Sequence, residues 1–160
     1  MIIINLNIRG LGGGVKAKYL KHIIYKEGAE FVCLQETKVT DFSDSKCFAL
    51  WGDNKIGWVL NEGENGAGGI LSMWNKEAFE YKSHVKGRGF IAVSGTHVKM
   101  NCLCVIVNVY ATCSVSDKVV MWDALSIIKS ANHNEVWCCC GDFNVVRSME
   151  ERKGVRGFSS

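Results

Sequence analysis

Nine short apolar runs divide this chain of 160 residues, at positions 2–8, 31–35, 48–51, 56–60, 69–74, 79–84, 90–98, 102–110 and 135–140. Runs of this length, rich in Ile, Val, Phe and Cys and bounded by Gly, Asn and Asp, are strand-sized. Helical spacing occurs twice. Residues 15–26 place Val15, Tyr19, Leu20, Ile23 and Ile24 on one face, and Gly28 closes the stretch as a C′ residue. Residues 117–130 follow Ser114 and Asp117 in capping-box spacing, with Val119, Trp122, Leu125 and Ile128 expected inward. The opening order of strand, helix, strand predicts a parallel pair. The later runs are separated by Gly- and Asn-rich turns such as 62–69 and predict antiparallel meanders. The chain therefore reads as a layered α/β protein with mixed sheets. Its longest near-continuous apolar run, 102–111, has ten residues. A bilayer span needs about 20, so no membrane partner is expected.

Composition narrows the class further. Apolar residues at 48% and charged residues at 22% exclude a disordered chain. The net charge of +3 is uneven: residues 1–80 carry 9 basic and 10 acidic groups, residues 81–160 carry 10 and 6. That basicity permits a polyanionic partner without requiring one. The eight cysteines contain no C-x-x-C pair, so zinc-finger spacing is absent. Cys102, Cys104 and Cys138 to Cys140 lie in apolar runs and read as buried reduced thiols. The chain enters a strand pattern at Ile2 with no basic leader, so an intracellular, reducing location without disulfides is expected.

The chemistry lies at the ends of the apolar runs. Asn7, Glu36, Tyr110, and Asp142 with Asn144 each follow such a run. Ligands of layered α/β sheets gather beyond strand ends, where loops diverge. Carboxylates and amides are hard oxygen donors suited to Mg²⁺ or Mn²⁺. Taken singly, each residue has an ordinary reading: a turn cap for Asn7, a solvated strand end for Glu36, a core aromatic for Tyr110, a turn for Gly-Asp-x-Asn. Taken together and in order, they describe a site for a divalent ion and a phosphate.

Leu6-Asn7-Ile8-Arg9-Gly10, Leu34-Gln35-Glu36-Thr37-Lys38, Asn108-Val109-Tyr110 and Gly141-Asp142-Phe143-Asn144 resemble the successive motifs of the endonuclease/exonuclease/phosphatase superfamily. The likeness is nearest to the endonuclease domains of plant LINE-type non-LTR retrotransposons. Ser116-Asp117-Lys118 through Trp122, and Glu151-Arg152-Lys153-Gly154, add to it. The resemblance implies a four-layer α/β sandwich with two mixed β-sheets, like deoxyribonuclease I, and Mg²⁺-dependent (or Mn²⁺-dependent) hydrolysis of DNA phosphodiesters. Carried over by position, Glu36 ligates the metal with help from Asn7. Asp142 orients or deprotonates the attacking water, and Asn144 and Tyr110 hold the phosphate and its developing charge. The resemblance also implies that the parent enzyme works in the nucleus.

Two departures stand beside it. The family pattern continues through further strands to a Ser-Asp-His motif, but here no Ser-Asp-His occurs and no His follows Asp142. His22, His84, His97 and His133 match no catalytic position, and His133 reads as part of a polar turn. Residues 1–160 are thus expected to be the N-terminal portion of a single domain, incomplete at its C-terminus and inactive alone. Residues 147–160 are polar and add no closing element. The chain also lacks Pro entirely, where average usage gives about 8. Ala111-Thr112-Cys113 stands where the family often carries one. The alternative is a non-catalytic α/β module that binds nucleic acid or a protein through the same cleft.

Overall fold

A computed structural model describes residues 1–63, 68–131 and 134–145. The expectations for His133, for residues 147–160 and for part of the 62–69 turn fall outside them. Strand β1 (Ile3–Asn7) leads into helix α1 (Gly14–Glu27) and strand β2 (Phe31–Gln35). β1 and β2 pair in parallel, Ile3 opposite Phe31 and Asn7 opposite Gln35. Helix α2 (Asp44–Trp51) precedes the antiparallel strands β3 (Ile56–Asn61) and β4 (Ile70–Asn75), and β4 also pairs with β2. The first sheet has the order β1-β2-β4-β3. The meander β5 (Phe79–Gly87), β6 (Phe90–His97) and β7 (Cys102–Tyr110) begins the second. Helix α3 (Val115–Ala131) then returns the chain to β8 (Val136–Asp142), which lies parallel to β7. The second sheet has the order β5-β6-β7-β8.

Side-chain alternation makes four layers of this. In β2, Val32 and Leu34 face α1 and α2, while Phe31 and Cys33 face the second sheet. In β7, Cys104 and Ile106 face the first sheet, while Val105, Val107 and Val109 face α3 with Met121 and Leu125. The order is α1 and α2, first sheet, second sheet, α3. Fully burying a side chain such as Phe31, Phe79 or Ile106 contributes about 1.5–3 kcal/mol. The expected four-layer sandwich with two mixed sheets is the fold observed.

Four local expectations are corrected. Residues 48–51 are helical, the last half of α2. Ser43 caps that helix by accepting the Lys46 N–H at 3.4 Å, Gly52 ends it at φ 116°, and Cys47, Leu50 and Trp51 supply the buried stripe. A four-residue apolar run carries too little periodicity to separate strand from helix. In α1 the covered stripe is Ala17, Leu20, Ile23 and Ile24, leaving Val15 and Tyr19 83% and 63% exposed. In α3, Met121 and Leu125 are buried, whereas Val119 and Trp122 lie on the outer side. Trp122 instead stacks on Phe143, ring centroids 5.9 Å apart. Strand β8 is half-exposed rather than buried, with Cys139 turned to solvent, because it is the last strand of its sheet among the described residues.

Candidate active site

The two parallel pairs bring four strand ends together. Asn7 ends β1 opposite Gln35, and Tyr110 ends β7 opposite Asp142 of β8. β1 packs against β8 across the sandwich. Parallel strands point their C-terminal ends the same way, so loops from both sheets converge at one rim.

Asn7 is the hub. Its Nδ2 donates to Glu36 Oε1 at 2.8 Å and to Asp142 Oδ2 at 2.8 Å, and its Oδ1 accepts the Arg9 N–H at 3.2 Å. Two carboxylates from different sheets are thus bridged by one amide. Asp142 Oδ1 accepts the Asn144 N–H at 3.0 Å, and Asn144 Nδ2 donates to the Ala111 carbonyl at 2.6 Å. The two hydrogen bonds fix the turn after β8, and Lys118 Nζ holds the Asn144 carbonyl at 2.7 Å. Asn144 is therefore joined to the cluster through Asp142, with its amide nitrogen committed to the β7 end.

Glu36 sits just past β2 at φ 52°, a left-handed backbone for a side chain that costs about 1–2 kcal/mol. Neighbouring loops impose it. The Gly10 N–H bonds the Glu36 carbonyl at 2.6 Å, and the N–H groups of Thr37 and Lys38 bond Gly69 and Gly68 at 3.1 and 2.8 Å. The 8–10 loop is itself pinned by Lys16, whose Nζ donates to the carbonyls of Ile8, Arg9 and Gly10 at 2.8, 2.8 and 3.1 Å. Backbone strain retained beside two carboxylates is common at functional sites.

Tyr110 lies beside Glu36. Burial, then the charge and hydrogen bond of Glu36, and then Asp142 and Cys113, hold its phenol above the usual tyrosine range. It is protonated at neutral pH and serves as an O–H donor.

The donor set is two carboxylates, one amide and a phenol. Among the described residues no group of three or more His, Cys, Asp or Glu is arranged to hold an ion. Two carboxylates nevertheless fit Mg²⁺, which binds through one or two of them and keeps several waters. Two clefts of about 370 and 490 Å³ border the 40–42 loop, and neither is lined by Asn7, Glu36, Tyr110 or Asp142. The described histidines lie elsewhere: His22 is exposed on α1, His84 is bonded to Tyr81, and His97 is bonded to Glu30.

Gln35 and Asn108 flank the site in sequence, and their placement as polar residues in apolar runs assigns them no role there. Both are fully buried and bonded to each other at 2.6 Å. The available signal was a polar side chain within an apolar strand run, which must find a partner when buried.

Among the described residues, no helix is long and apolar enough to cross a membrane. No curated protein matches the chain in sequence. Its fold is similar to truncated TDP2 from Caenorhabditis elegans, with TM-score 0.64 and 16% identity over 90% of this chain and 62% of that one. It is similar to the APE2 catalytic domain from Xenopus laevis, with TM-score 0.67 and 16% identity over 92% and 60%. It is also similar to the mannosyl-6-phosphatase Bt3783 from Bacteroides thetaiotaomicron, with TM-score 0.68 and 11% identity over 89% and 65%. The chain thus spans less than two thirds of these structures, and identities this low speak for the fold alone. The model of the Endonuclease/Exonuclease/phosphatase family matches residues 4–157, nearly the whole sequence, and the chain belongs to that family.

Proposed function

We propose that this chain is the N-terminal portion of a divalent-metal-dependent DNA endonuclease domain of the LINE retrotransposon type, acting on chromosomal DNA. The carrying observation is Asn7 bridging Glu36 and Asp142, which gathers two hard carboxylates at the convergence of two parallel strand pairs. The nearness of the motifs to LINE-type endonuclease domains supports the retrotransposon assignment.

Glu36 would hold the Mg²⁺ or Mn²⁺, with Asn7 keeping its carboxylate turned to the site. The cation, when bound, neutralises charge developing on the phosphoryl oxygens. Asp142, held at both oxygens by N–H donors, would take the proton of the attacking water as that water's oxygen bonds to phosphorus and the bond from phosphorus to the leaving sugar oxygen breaks. The Tyr110 hydroxyl and Asn144 border the same rim and position the phosphate. A cationic donor to the phosphoryl oxygens is not found among the described histidines, and one lost preorganised donor costs about 10²–10³ in rate. Residues 1–160 alone are therefore expected to be inactive.

The test is nicking of supercoiled plasmid in Mg²⁺. The chain alone should nick no faster than background. A version extended by the C-terminal segment of a complete relative, Ser-Asp-His included, should nick, and Asp142→Ala should abolish that. An extended chain that stays inactive but binds DNA would favour the non-catalytic binding module. Nicking by residues 1–160 that vanishes in Asp142→Ala would overturn the missing-donor argument.

A further inference from the structure

Gln35 precedes Glu36 in the chain, and Asn108 stands two residues before Tyr110 on the same face of β7. Both amides are wholly enclosed, at 0% exposure, between the two sheets. Gln35 Nε2 donates to Asn5 Oδ1 at 2.8 Å and to Asn108 Oδ1 at 2.6 Å, which uses both of its N–H groups. Asn108 Nδ2 reaches the Leu71 carbonyl at 3.0 Å, Ser72 Oγ at 3.2 Å and the Leu34 carbonyl at 3.4 Å. One side chain of the second sheet is thereby tied to β2 and β4 of the first.

The arrangement carries a cost. Gln35 Oε1 is buried without a hydrogen-bond partner, a penalty that a packed apolar pair would not carry. Its location is informative instead. Glu36 has left the β1–β2 register with a left-handed backbone, so the last residue still held by the sheet is Gln35. On the opposite sheet, the face of β7 that receives Gln35 also presents Tyr110 to Glu36. A directional amide–amide bond fixes the spacing of two strands more sharply than apolar contact does.

We propose that the Gln35–Asn108 pair is a positioning device that sets Glu36 against Asn7 and Tyr110 across the two sheets, and with them the geometry offered to a divalent cation. The inference rests on the reading of Glu36 as the metal-holding carboxylate. Gln35 and Asn108 touch no reacting atom; they act through their neighbours.

The experiment uses the 160-residue chain with Gln35→Met and Asn108→Leu combined. The two substitutions remove both ends of the amide–amide bond but leave the buried Ser72 Oγ without its Asn108 donor, so folding should be weakened rather than abolished. Two readings are taken besides the thermal melt: Mn²⁺ affinity by water-proton relaxation, and the ¹H–¹⁵N resonances of the Asn7 side-chain amide, which bonds both carboxylates. The expected result is a cooperative melt at a somewhat lower temperature, Mn²⁺ affinity lowered about 10-fold or more, as for other residues that orient metal ligands, and displaced Asn7 resonances. The exchange Gln35→Asn with Asn108→Gln restores an amide–amide bond of the same total length and should recover both readings. If the apolar double variant does not fold, Gln35→Met alone is read in the same way. Wild-type Mn²⁺ affinity together with unmoved Asn7 resonances would overturn the proposal. Absence of Mn²⁺ binding in the parent chain would defeat the metal reading of Glu36, while the Asn7 resonances would still decide the positioning role.

Discussion

Asn7 and Asp142, separated by 135 positions in sequence, are joined by an amide-to-carboxylate hydrogen bond of 2.8 Å. The bond closes the sandwich where β1 meets β8, each the outermost strand of its sheet among the described residues. The same nitrogen serves Glu36, so removing it leaves two like charges facing each other without the amide that bridges them. Asn7→Ala should destabilise the chain by about 1–2 kcal/mol, toward the lower end for hydrogen bonds to charged groups because the site is half-exposed. Urea unfolding at pH 7 measures this. A midpoint equal to that of the parent would show that the bridge is not formed in solution.

Gly141 tests how tightly the strand that carries Asp142 must lie. Its φ is 148°, and a Cβ there would collide with the Val109 carbonyl oxygen across the β7–β8 pair. Because the obstacle is backbone, neither strand can yield by a rotamer change. Gly141→Ala should cost about 1–3 kcal/mol, as overpacking does. It should also weaken cation binding, since Asp142 follows directly. A stable variant with parental Mn²⁺ affinity would contradict this account.

The convergence of Asn7, Glu36, Tyr110 and Asp142 was legible because each closes an apolar run, and parallel pairing sends such ends to one side. Strand-by-strand reading failed where the pattern was short or two-sided. Residues 48–51 offered only four apolar positions, and the decisive signals were the caps Ser43 and Gly52 outside them. The apolar positions of α3 go nearly all round the helix, so the sequence did not specify which face meets β6 and β7; the site of Trp122 shows the other face was available too. The Gln35–Asn108 bond spans 73 positions and two sheets. Its partners are set by how the sheets stack, which no local pattern encodes.

The thiols separate by burial. Burial, with Asp44 nearby, pushes the Cys47 thiol up to about 12 from an ordinary 9.0. A thiol raised in the folded state favours folding fully below pH 9.0, and that contribution is lost as pH climbs toward 12. At pH 8, Cys47 holds about 10³-fold less thiolate than an ordinary cysteine. Iodoacetamide on the native chain should therefore label exposed Cys113 well before Cys47, with Cys47 labelled only after unfolding. Peptide mass spectrometry reads the order. Equal labelling of both in the native state would mean that α2 does not pack on its sheet as described.

Glu36→Gln separates charge from shape at the proposed cation site. The substitution keeps the side chain's size and an oxygen for Asn7 to bond, but it removes one of the two carboxylates. In EDTA, the change relieves repulsion between Glu36 and Asp142, so the melting temperature should stay level or rise slightly. In Mn²⁺ the effect should reverse. A cation that binds only the folded chain stabilises it by RT ln(1 + [Mn²⁺]/Kd), so at a fixed concentration the stabilisation falls as affinity falls. Losing a ligating carboxylate should lower affinity at least as much as losing a group that merely orients a ligand, about 10- to 100-fold. The Mn²⁺-induced rise in melting temperature seen for the parent should therefore shrink or vanish in the variant at the same concentration. Asp142→Asn provides the comparison from the other sheet, and its smaller loss would identify Glu36 as the principal ligand. An equal Mn²⁺-induced rise in the parent and in Glu36→Gln would place the cation elsewhere and leave Glu36 as a partner of Asn7 alone.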